Sequence, residues 1–282
     1  MRNVGLENSG LNCFQIKIIA LFFMTLDHIG AYAFEMPFVS AYSSTFRLLG
    51  RVAAPLFLFM LTESVRFTRS RNKLILRLYL SSVSFDLITA LMNTLLGDVL
   101  GIYTHGNILY SYFFTVMYIT FIENLISAIK ATNWNKMLIT LLAILSSLLL
   151  HPLCSFIHSM KVSSVIIKEL LESFIHSPLL VEYSPLFILL GIIMYFARSK
   201  WIQIGIFIVF CYISYSSKIA ALFWSTPLSV FFGYPQYWMV LAVPIMILYN
   251  GKRGINAKML FYTYYPIHIY AIILLVKLFS FR

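Results

Sequence analysis

Charged side chains are scarce in this sequence. Of its 282 residues only 11% are Asp, Glu, Lys or Arg, whereas 60% are hydrophobic and 17% are aromatic. A soluble domain carries about 25% charged residues, and so few charges cannot cover a water-soluble surface of this size. The sequence also lacks an internal repeat, a low-complexity stretch and a loop long enough to form a soluble domain. These absences exclude an ordinary soluble protein.

Cysteine and acidic residues are also few. Cys13, Cys154 and Cys211 lie in or beside apolar segments without paired spacing, which excludes a disulfide framework and a zinc motif. We expect them to pack as small hydrophobes. The 10 acidic residues face 21 basic ones, a formal net charge of +11. In a membrane protein such an excess is typical of cytoplasmic loops, and we favour this explanation over a nucleic-acid partner.

Long apolar runs are the dominant feature that the sequence does have. A bilayer core is roughly 30 Å thick, so a spanning helix needs about 20 apolar residues. The runs predict an all-α polytopic transmembrane helical bundle of about nine spans, with a range of eight to ten. We expect it to form a single domain over residues 1–282. The predicted spans are 14–34, 46–64, 74–96, 108–129, 137–157, 178–197, 201–222, 235–249 and 259–280.

The basic residues between the spans fall mostly on one side of the predicted membrane. The side opposite to the N-terminus carries only Lys161, Lys168 and Arg282. Because Lys and Arg accumulate in cytoplasmic loops, we predict a cytoplasmic N-terminus and, with an odd number of spans, a C-terminus on the outer side. The loop residues on the N-terminal side are Arg2, Arg66, Arg69, Arg71, Lys73, Arg77, Lys130, Lys136, Arg198, Lys200, Lys252, Arg253 and Lys258.

Two neighbouring titratable residues lie inside the first predicted span. Ionisable groups in a bilayer are costly and are functional candidates by default. Asp27 lies roughly 20 Å along a helix that rises about 1.5 Å per residue, which places Asp27 and His28 in the outer half of the membrane. Neighbouring helix residues point about 100° apart, so one side chain can face a cavity while the other holds a neighbouring helix. The alternative is a purely structural role in helix–helix hydrogen bonding.

Two arginines open the second predicted span. Arg47 and Arg51 are four residues apart and therefore share one helix face. A guanidinium group is always charged and binds carboxylate, phosphate or carbonyl oxygens. Both arginines fall in the outer half of the predicted membrane, where Arg47 can alternatively snorkel to lipid headgroups. We expect Asp27, His28 and Arg51 to converge at one depth.

Four further polar residues are weaker candidates. Glu63 lies within reach of Arg66, which favours an ion pair at the cytoplasmic end of its span. Asp86 lies midway along the third span and needs a partner, which one of the arginines could provide. Asn107 precedes the fourth span, where a solvated loop position is the alternative. His268 lies near the middle of the last span, and a lone histidine there is as often structural as catalytic.

A basic turn separates the last two predicted spans. In Tyr249-Asn250-Gly251-Lys252-Arg253-Gly254 two glycines flank two cations, and such a flexible turn can approach a phosphate closely. It is not a Walker motif, which needs a longer Gly-rich loop ending in Lys-Ser or Lys-Thr. Charge alone indicates only membrane topology here.

Several short motifs occur along the chain in a fixed order. They are Lys17-Ile18-Ile19-Ala20 with Asp27-His28-Ile29-Gly30, Arg47-Leu48-Leu49-Gly50-Arg51 with Pro55-Leu56-Phe57, Glu63 ahead of Thr68-Arg69, the basic turn, and Phe261-Tyr262 with Tyr265-Pro266-Ile267-His268. With these motifs the sequence resembles the TraX family over nearly its whole length. That family is named for the membrane acetylase that modifies the N-terminus of F-type conjugative pilin.

The resemblance implies an acetyl-CoA-dependent N-acetyltransferase of the bacterial inner membrane. The expected partners are acetyl-CoA as the acyl donor, pilin or another extracytoplasmic acceptor, and the lipid bilayer. Acetyl-CoA is cytoplasmic, whereas the amine of a processed pilin faces outward, so the chemistry must bridge the membrane. Under this interpretation Lys252 and Arg253 contact the phosphates of CoA.

The resemblance also suggests roles for the membrane residues. His28 would act as general base with Asp27 tuning its protonation state, and Arg51 would polarise the thioester carbonyl. His268 would protonate the leaving thiolate or act as a second base, and an acetyl-histidine intermediate is a further route. No metal is expected, because the spacing gives no ligand pattern. The candidate substrate-binding residues are Arg47, Glu63, Asp86 and Asn107.

Three other functions stay open from the sequence. The same enzyme chemistry could acetylate a hydroxyl group of a cell-envelope sugar. A transporter or channel could use the buried Asp, His and Arg as a proton or anion path, although the repeated halves common in transporters are missing from the sequence. A non-enzymatic pilus-assembly protein would tolerate loss of His28.

Overall fold

A computed structural model of the chain describes residues 10–34, 36–100, 106–160, 165–221 and 235–280. These residues are helical almost throughout, and over the described ranges no strand forms beyond an isolated bridge between Leu11 and Tyr249. The prediction of an all-α polytopic bundle is confirmed. Arg2, Lys161 and Arg282, which contribute to the charge argument, lie outside the described residues.

The described part of the chain contains α-helices α1 to α11 and one 3-10 helix. Their bounds are α1 Cys13–Tyr32, α2 Pro37–Gly50, α3 Ala53–Arg66, α4 Arg71–Leu100, α5 Ile108–Lys130, α6 Trp134–Ser159, α7 Val165–Phe174, α8 Ser184–Phe196, α9 Lys200–Ala221, the 3-10 helix Pro235–Ala242, α10 Val243–Ile247 and α11 Lys258–Ser280.

Six helical segments of the described chain are long and apolar enough, by length and composition, to cross a membrane. They are Cys13–Tyr32, Pro37–Arg66, Arg71–Leu95, Ile108–Lys130, Trp134–Ser159 and Lys258–Phe279. Three shorter apolar helices, Ser184–Phe196, Lys200–Ile213 and Gln236–Ile247, fall where the sequence predicts the remaining spans. The number of membrane crossings stays a prediction.

The second predicted span differs most from the structure. The helical segment begins at Pro37, and it is interrupted between α2, which ends at Gly50, and α3, which begins at Ala53. Pro37 suits a helix start because its missing N–H needs no partner in the first turn. Pro55 cannot donate to the carbonyl four residues earlier, which explains why a new helix begins just before it.

The chain divides into two compact units, one formed by residues 1–61 and 196–282 and the other by residues 62–195. In the first unit α1 packs against α2 and α11, while the 3-10 helix packs against α2 and α9. In the second unit α4 packs against α5 and α7, and α6 packs against α5 and α7. The prediction of a single domain over residues 1–282 is not tested by this division and stays a prediction.

Candidate functional site

The candidate site is built where α1 and α2 approach each other closely. A Cβ on Gly30 would lie 2.8 Å from the carbonyl oxygen of Ser43, and a Cβ on Gly50 would lie 2.2 Å from the Cβ of Asp27. Small residues at a helix crossing let the two backbones come together. The Ser43 hydroxyl also donates to the Gly30 carbonyl at 2.7 Å. The glycines therefore bring Arg47 and Arg51 within reach of Asp27.

Enlarging Gly50 tests this close approach. We expect Gly50→Ala to destabilise the protein by about 1–3 kcal/mol, the usual cost of overpacking, because its Cβ has no space beside Asp27. The measurement is the thermal unfolding midpoint of the purified full-length protein in detergent. Gly205→Ala in α9 is the matched control, since a Cβ there meets nothing within 4 Å. Equal midpoints for both variants would contradict the packing described here.

Asp27 lies between Arg47 and Arg51, the two arginines that the sequence analysis selects as candidates. Arg47 Nη1 donates to Asp27 Oδ2 at 2.7 Å, and Arg51 Nη2 lies 3.8 Å from Asp27 Oδ1. The side chain of Asp27 is 15% exposed and that of Arg47 is 38% exposed. Arg51 follows the last residue of α2, and as a whole residue it is 8% exposed. One carboxyl group thus faces two guanidinium groups.

His28 points to a different neighbour. Its Nδ1 lies 2.6 Å from Nε2 of His268 on α11, and the two ring centroids are 4.8 Å apart. The divergence of adjacent helix residues explains why Asp27 reaches α2 while His28 reaches α11. Asp27 and His28 are neighbours on α1, so the contacts of Asp27 with Arg47 and Arg51 and of His28 with His268 lie side by side in the first unit.

Several residues around this pair were missed by sequence reasoning. The Tyr264 ring stacks on His268 with centroids 4.9 Å apart, and its hydroxyl shares a 2.7 Å hydrogen bond with Thr25 Oγ1. Tyr32 stacks on His28 at 5.8 Å. Their spacing could have predicted these contacts. Tyr264 and His268 are four residues apart on one helix, and so are His28 and Tyr32, which places each pair on one helix face.

The basic turn lies at the other end of α1. Lys252 and Arg253 are exposed, and the Lys252 carbonyl accepts from the backbone N–H of Cys13, the first residue of α1. A Cβ on Gly254, whose φ is +68°, would lie 2.4 Å from Asn12 Oδ1. The turn is therefore held against the start of α1 and is not brought together with His28.

Lys200 supports this turn through contacts that the sequence does not predict. Lys200 Nζ donates to the carbonyl oxygens of Ile247 and Tyr249, each at 2.8 Å. A cation at a helix C-terminus binds carbonyls that lack an intrahelical donor. Lys200 thus fixes the end of α10, directly before the basic turn.

Two of the weaker candidates form one contact in the second unit. Asn107 Nδ2 donates to Asp86 Oδ1 at 2.6 Å and to the Ser82 carbonyl at 2.9 Å, while its Oδ1 caps α5 by accepting from Leu109 N–H. Asp86 is thus paired with the Asn107 amide and also lies within hydrogen-bond reach of the Tyr110 hydroxyl, whereas the sequence analysis considered an arginine as its partner. These contacts are structural, and a substrate-binding role for Asp86 and Asn107 stays a prediction.

Glu63 also lies in the second unit and forms the expected ion pair. Arg66 Nη1 donates to its Oε1 at 2.7 Å, and Arg66 Nη2 donates to the Tyr195 carbonyl at 2.6 Å. The pair therefore holds the end of α8, and its predicted substrate contact is not tested.

His176 is a half-buried titratable residue of the second unit that lies outside the candidate spans. The His176 ring stacks on Tyr110 with centroids 3.7 Å apart. Burial lowers the pKa of His176 below its usual value, although the neighbouring Glu172 opposes this shift. Burial therefore favours the neutral form of His176, which is a packing residue.

Metal ligands are not grouped in the part of the chain that the structure describes. Within it no set of three or more His, Cys, Asp or Glu side chains could hold a metal ion. The described site instead consists of a histidine pair, a carboxylate and two guanidinium groups.

The fold and the site define a polytopic helical membrane protein with an ionisable cluster between three of its helices. Residues 13–276 match the family model described as TraX protein, and the chain therefore belongs to the TraX family. This membership confirms the resemblance seen in the sequence and supports a membrane protein associated with conjugal transfer. No curated protein and no solved structure matches the chain.

Proposed function

We propose that the protein is an acetyltransferase that moves an acetyl group from acetyl-CoA to an extracytoplasmic amine, the N-terminus of pilin. The observation that carries the proposal is the His28–His268 pair at 2.6 Å beside the Asp27–arginine cluster. Amide formation from a thioester needs a base for the amine and a cation for the developing oxyanion. Membership of the TraX family supports this chemistry over proton or anion transport.

His28 and Arg51 take the two central roles. A neutral amine attacks the thioester carbonyl carbon and forms the C–N bond, and His28 accepts the proton that the amine loses. The C–S bond then breaks, and the thiolate leaves with the proton that His28 returns to it. Arg51 stabilises the negative oxygen of the tetrahedral intermediate, while Asp27 holds Arg47 and faces Arg51.

CoA binds at the opposite end of α1 in this proposal. The exposed cations Lys252 and Arg253 lie beside Cys13, and a helix N-terminus favours phosphate groups. Cys13 and His28 belong to the same helix, so a rise of about 1.5 Å per residue separates them by roughly 22 Å. The pantetheine arm would cover this distance. The N-terminus and this turn would face the cytoplasm of a bacterial inner membrane, and His28 would face the outer side.

Purified protein in detergent tests the proposed reaction. It is incubated with labelled acetyl-CoA and a peptide that carries the N-terminal sequence of pilin, and label on the peptide is measured by mass spectrometry. The same peptide with a blocked N-terminus is the matched control. Transfer to the free amine alone supports the proposal. Absence of label on the free amine, or equal labelling of the blocked peptide, would refute the pilin assignment.

Changing the basic turn separates donor binding from acceptor binding. We expect Lys252→Gln with Arg253→Gln to raise KM for acetyl-CoA about tenfold and to leave KM for the peptide within about twofold, because only the donor carries phosphates. Steady-state kinetics with each substrate varied in turn measures both values. Lys130→Gln, an exposed cation in the second unit, is the control. If KM for acetyl-CoA is unchanged in the double variant, the turn does not bind CoA and serves only to orient the protein in the membrane.

A further inference from the structure

The hydrogen bonds of His268 determine where its proton lies. Its Nδ1 is 2.7 Å from the carbonyl oxygen of Tyr264. A carbonyl oxygen can only accept a hydrogen bond, so Nδ1 of His268 must carry a proton. A neutral imidazole carries only one proton, which leaves Nε2 of His268 as an acceptor.

The same reasoning fixes the tautomer of His28. Its Nδ1 lies 2.6 Å from Nε2 of His268, and since that nitrogen accepts, Nδ1 of His28 must donate. The only proton of neutral His28 is then on Nδ1, and Nε2 keeps a free lone pair.

We infer that His268 is a positioning residue, which holds His28 in the tautomer that leaves Nε2 as the base. This inference rests on the proposed function. It replaces the expectation that His268 acts as a second base, since both of its ring nitrogens are engaged by Tyr264 and His28. When Nε2 of His28 accepts the amine proton, the Nδ1–H bond to His268 stabilises the imidazolium, and the proton then passes to the thiolate.

The surroundings of His268 suit a fixed orienting group. The residue is 5% exposed, and the Tyr264 ring stacks on it with an interplanar angle of 11°. Thr25 on α1 binds the Tyr264 hydroxyl at 2.7 Å, which joins α11 to the helix that carries His28. Rotation of the His268 ring would break both the stack and the hydrogen bond to Tyr264.

Nitrogen NMR tests the tautomer without any measurement of activity. Full-length protein with ¹⁵N-labelled histidine is studied in detergent, and the His28 signals are assigned by their loss in His28→Ala. We expect a protonated Nδ1 and an unprotonated Nε2 for His28. In His268→Phe, which keeps a ring and removes the acceptor, the signals should move to a mixture of the two tautomers. A His28 protonated at Nε2 in the unchanged protein would overturn the inference.

Kinetics of two variants complete the test. We expect His268→Phe to lower kcat by about 10- to 100-fold and leave KM for acetyl-CoA within about twofold, as for loss of an orienting partner. His268→Gln supplies an acceptor oxygen near the position of Nε2 and should recover kcat to within about threefold of the unchanged protein. Failure of His268→Gln to recover kcat, or full activity of His268→Phe, would overturn the inference. If His268→Phe does not fold, the NMR spectrum and His268→Gln decide.

The two failures are distinguishable. An unchanged protein that transfers no acetyl group refutes the proposed function whatever the NMR spectrum shows. An active protein with the opposite His28 tautomer refutes only the role of His268.

Discussion

His28→Ala is expected to remove acetyl transfer almost completely. A positioned general base contributes about 10²- to 10⁴-fold to a rate, and the inferred tautomer of His28, with Nδ1 bonded to His268, leaves the Nε2 lone pair to accept the amine proton. The purified variant should therefore lose about 10²- to 10⁴-fold in kcat, and pilin from cells carrying it should be unmodified.

Protein amount and membrane insertion are measured in the same cells to separate catalysis from folding. His158→Ala is the matched control, because this histidine lies in the second unit and its side chain is 79% exposed. Normal acetylation by His28→Ala would remove the catalytic role. It would leave a pilus-assembly role, which does not need this side chain.

Arg51→Gln is expected to give the second largest loss. Removal of one donor to an oxyanion costs about 10²- to 10³-fold in kcat, and Arg51 is almost fully buried beside Asp27. Asp27 keeps its 2.7 Å partner Arg47 in this variant, so its carboxylate stays paired. We therefore expect a fall in kcat of that size, a small change in KM for acetyl-CoA and a nearly unchanged unfolding midpoint.

Arg47→Gln is the matched comparison for the neighbouring cation. Arg47 is more exposed, so solvent screens its charge more strongly, and its loss should cost kcat less than the loss of Arg51. Equal losses in both variants would assign the effect to the net charge of the cluster. A normal kcat in Arg51→Gln would contradict the oxyanion role.

Sequence alone predicts the helical membrane fold, and it predicts which site residues lie on the same helix face. Apolar runs identify the helices because a bilayer requires about 20 apolar residues per span, and α5 agrees with its predicted span within one residue at its end. The four-residue spacing of Arg47 and Arg51 predicts a shared face, and both arginines do approach Asp27.

The structure supplies what helical periodicity cannot. The histidine partner of His28 lies 240 positions away in the sequence, and no local pattern encodes such a contact. The same holds for Asn107 and Asp86, whose pairing depends on how α4 meets α5. The start of α2 was missed because polar residues such as Ser43 and Ser44 lower the hydropathy of its first turns, although they face the close crossing with α1 or the surface.

The role of Gly50 shows a second limit of sequence reasoning. The sequence shows a glycine between Arg47 and Arg51. The reason that only glycine fits there is the Asp27 side chain packed against it, which the sequence does not show. Steric demands of this kind become visible only when two helices are placed together. The tautomer of His28 has the same origin, since it follows from the carbonyl of Tyr264.

Transfer across a bilayer tests the central claim most directly. The protein is reconstituted into liposomes that enclose the pilin peptide, and labelled acetyl-CoA is added outside only. The account predicts label on the enclosed peptide, with none in liposomes that hold His28→Ala. An enclosed peptide without label, or equal labelling by His28→Ala, would contradict it.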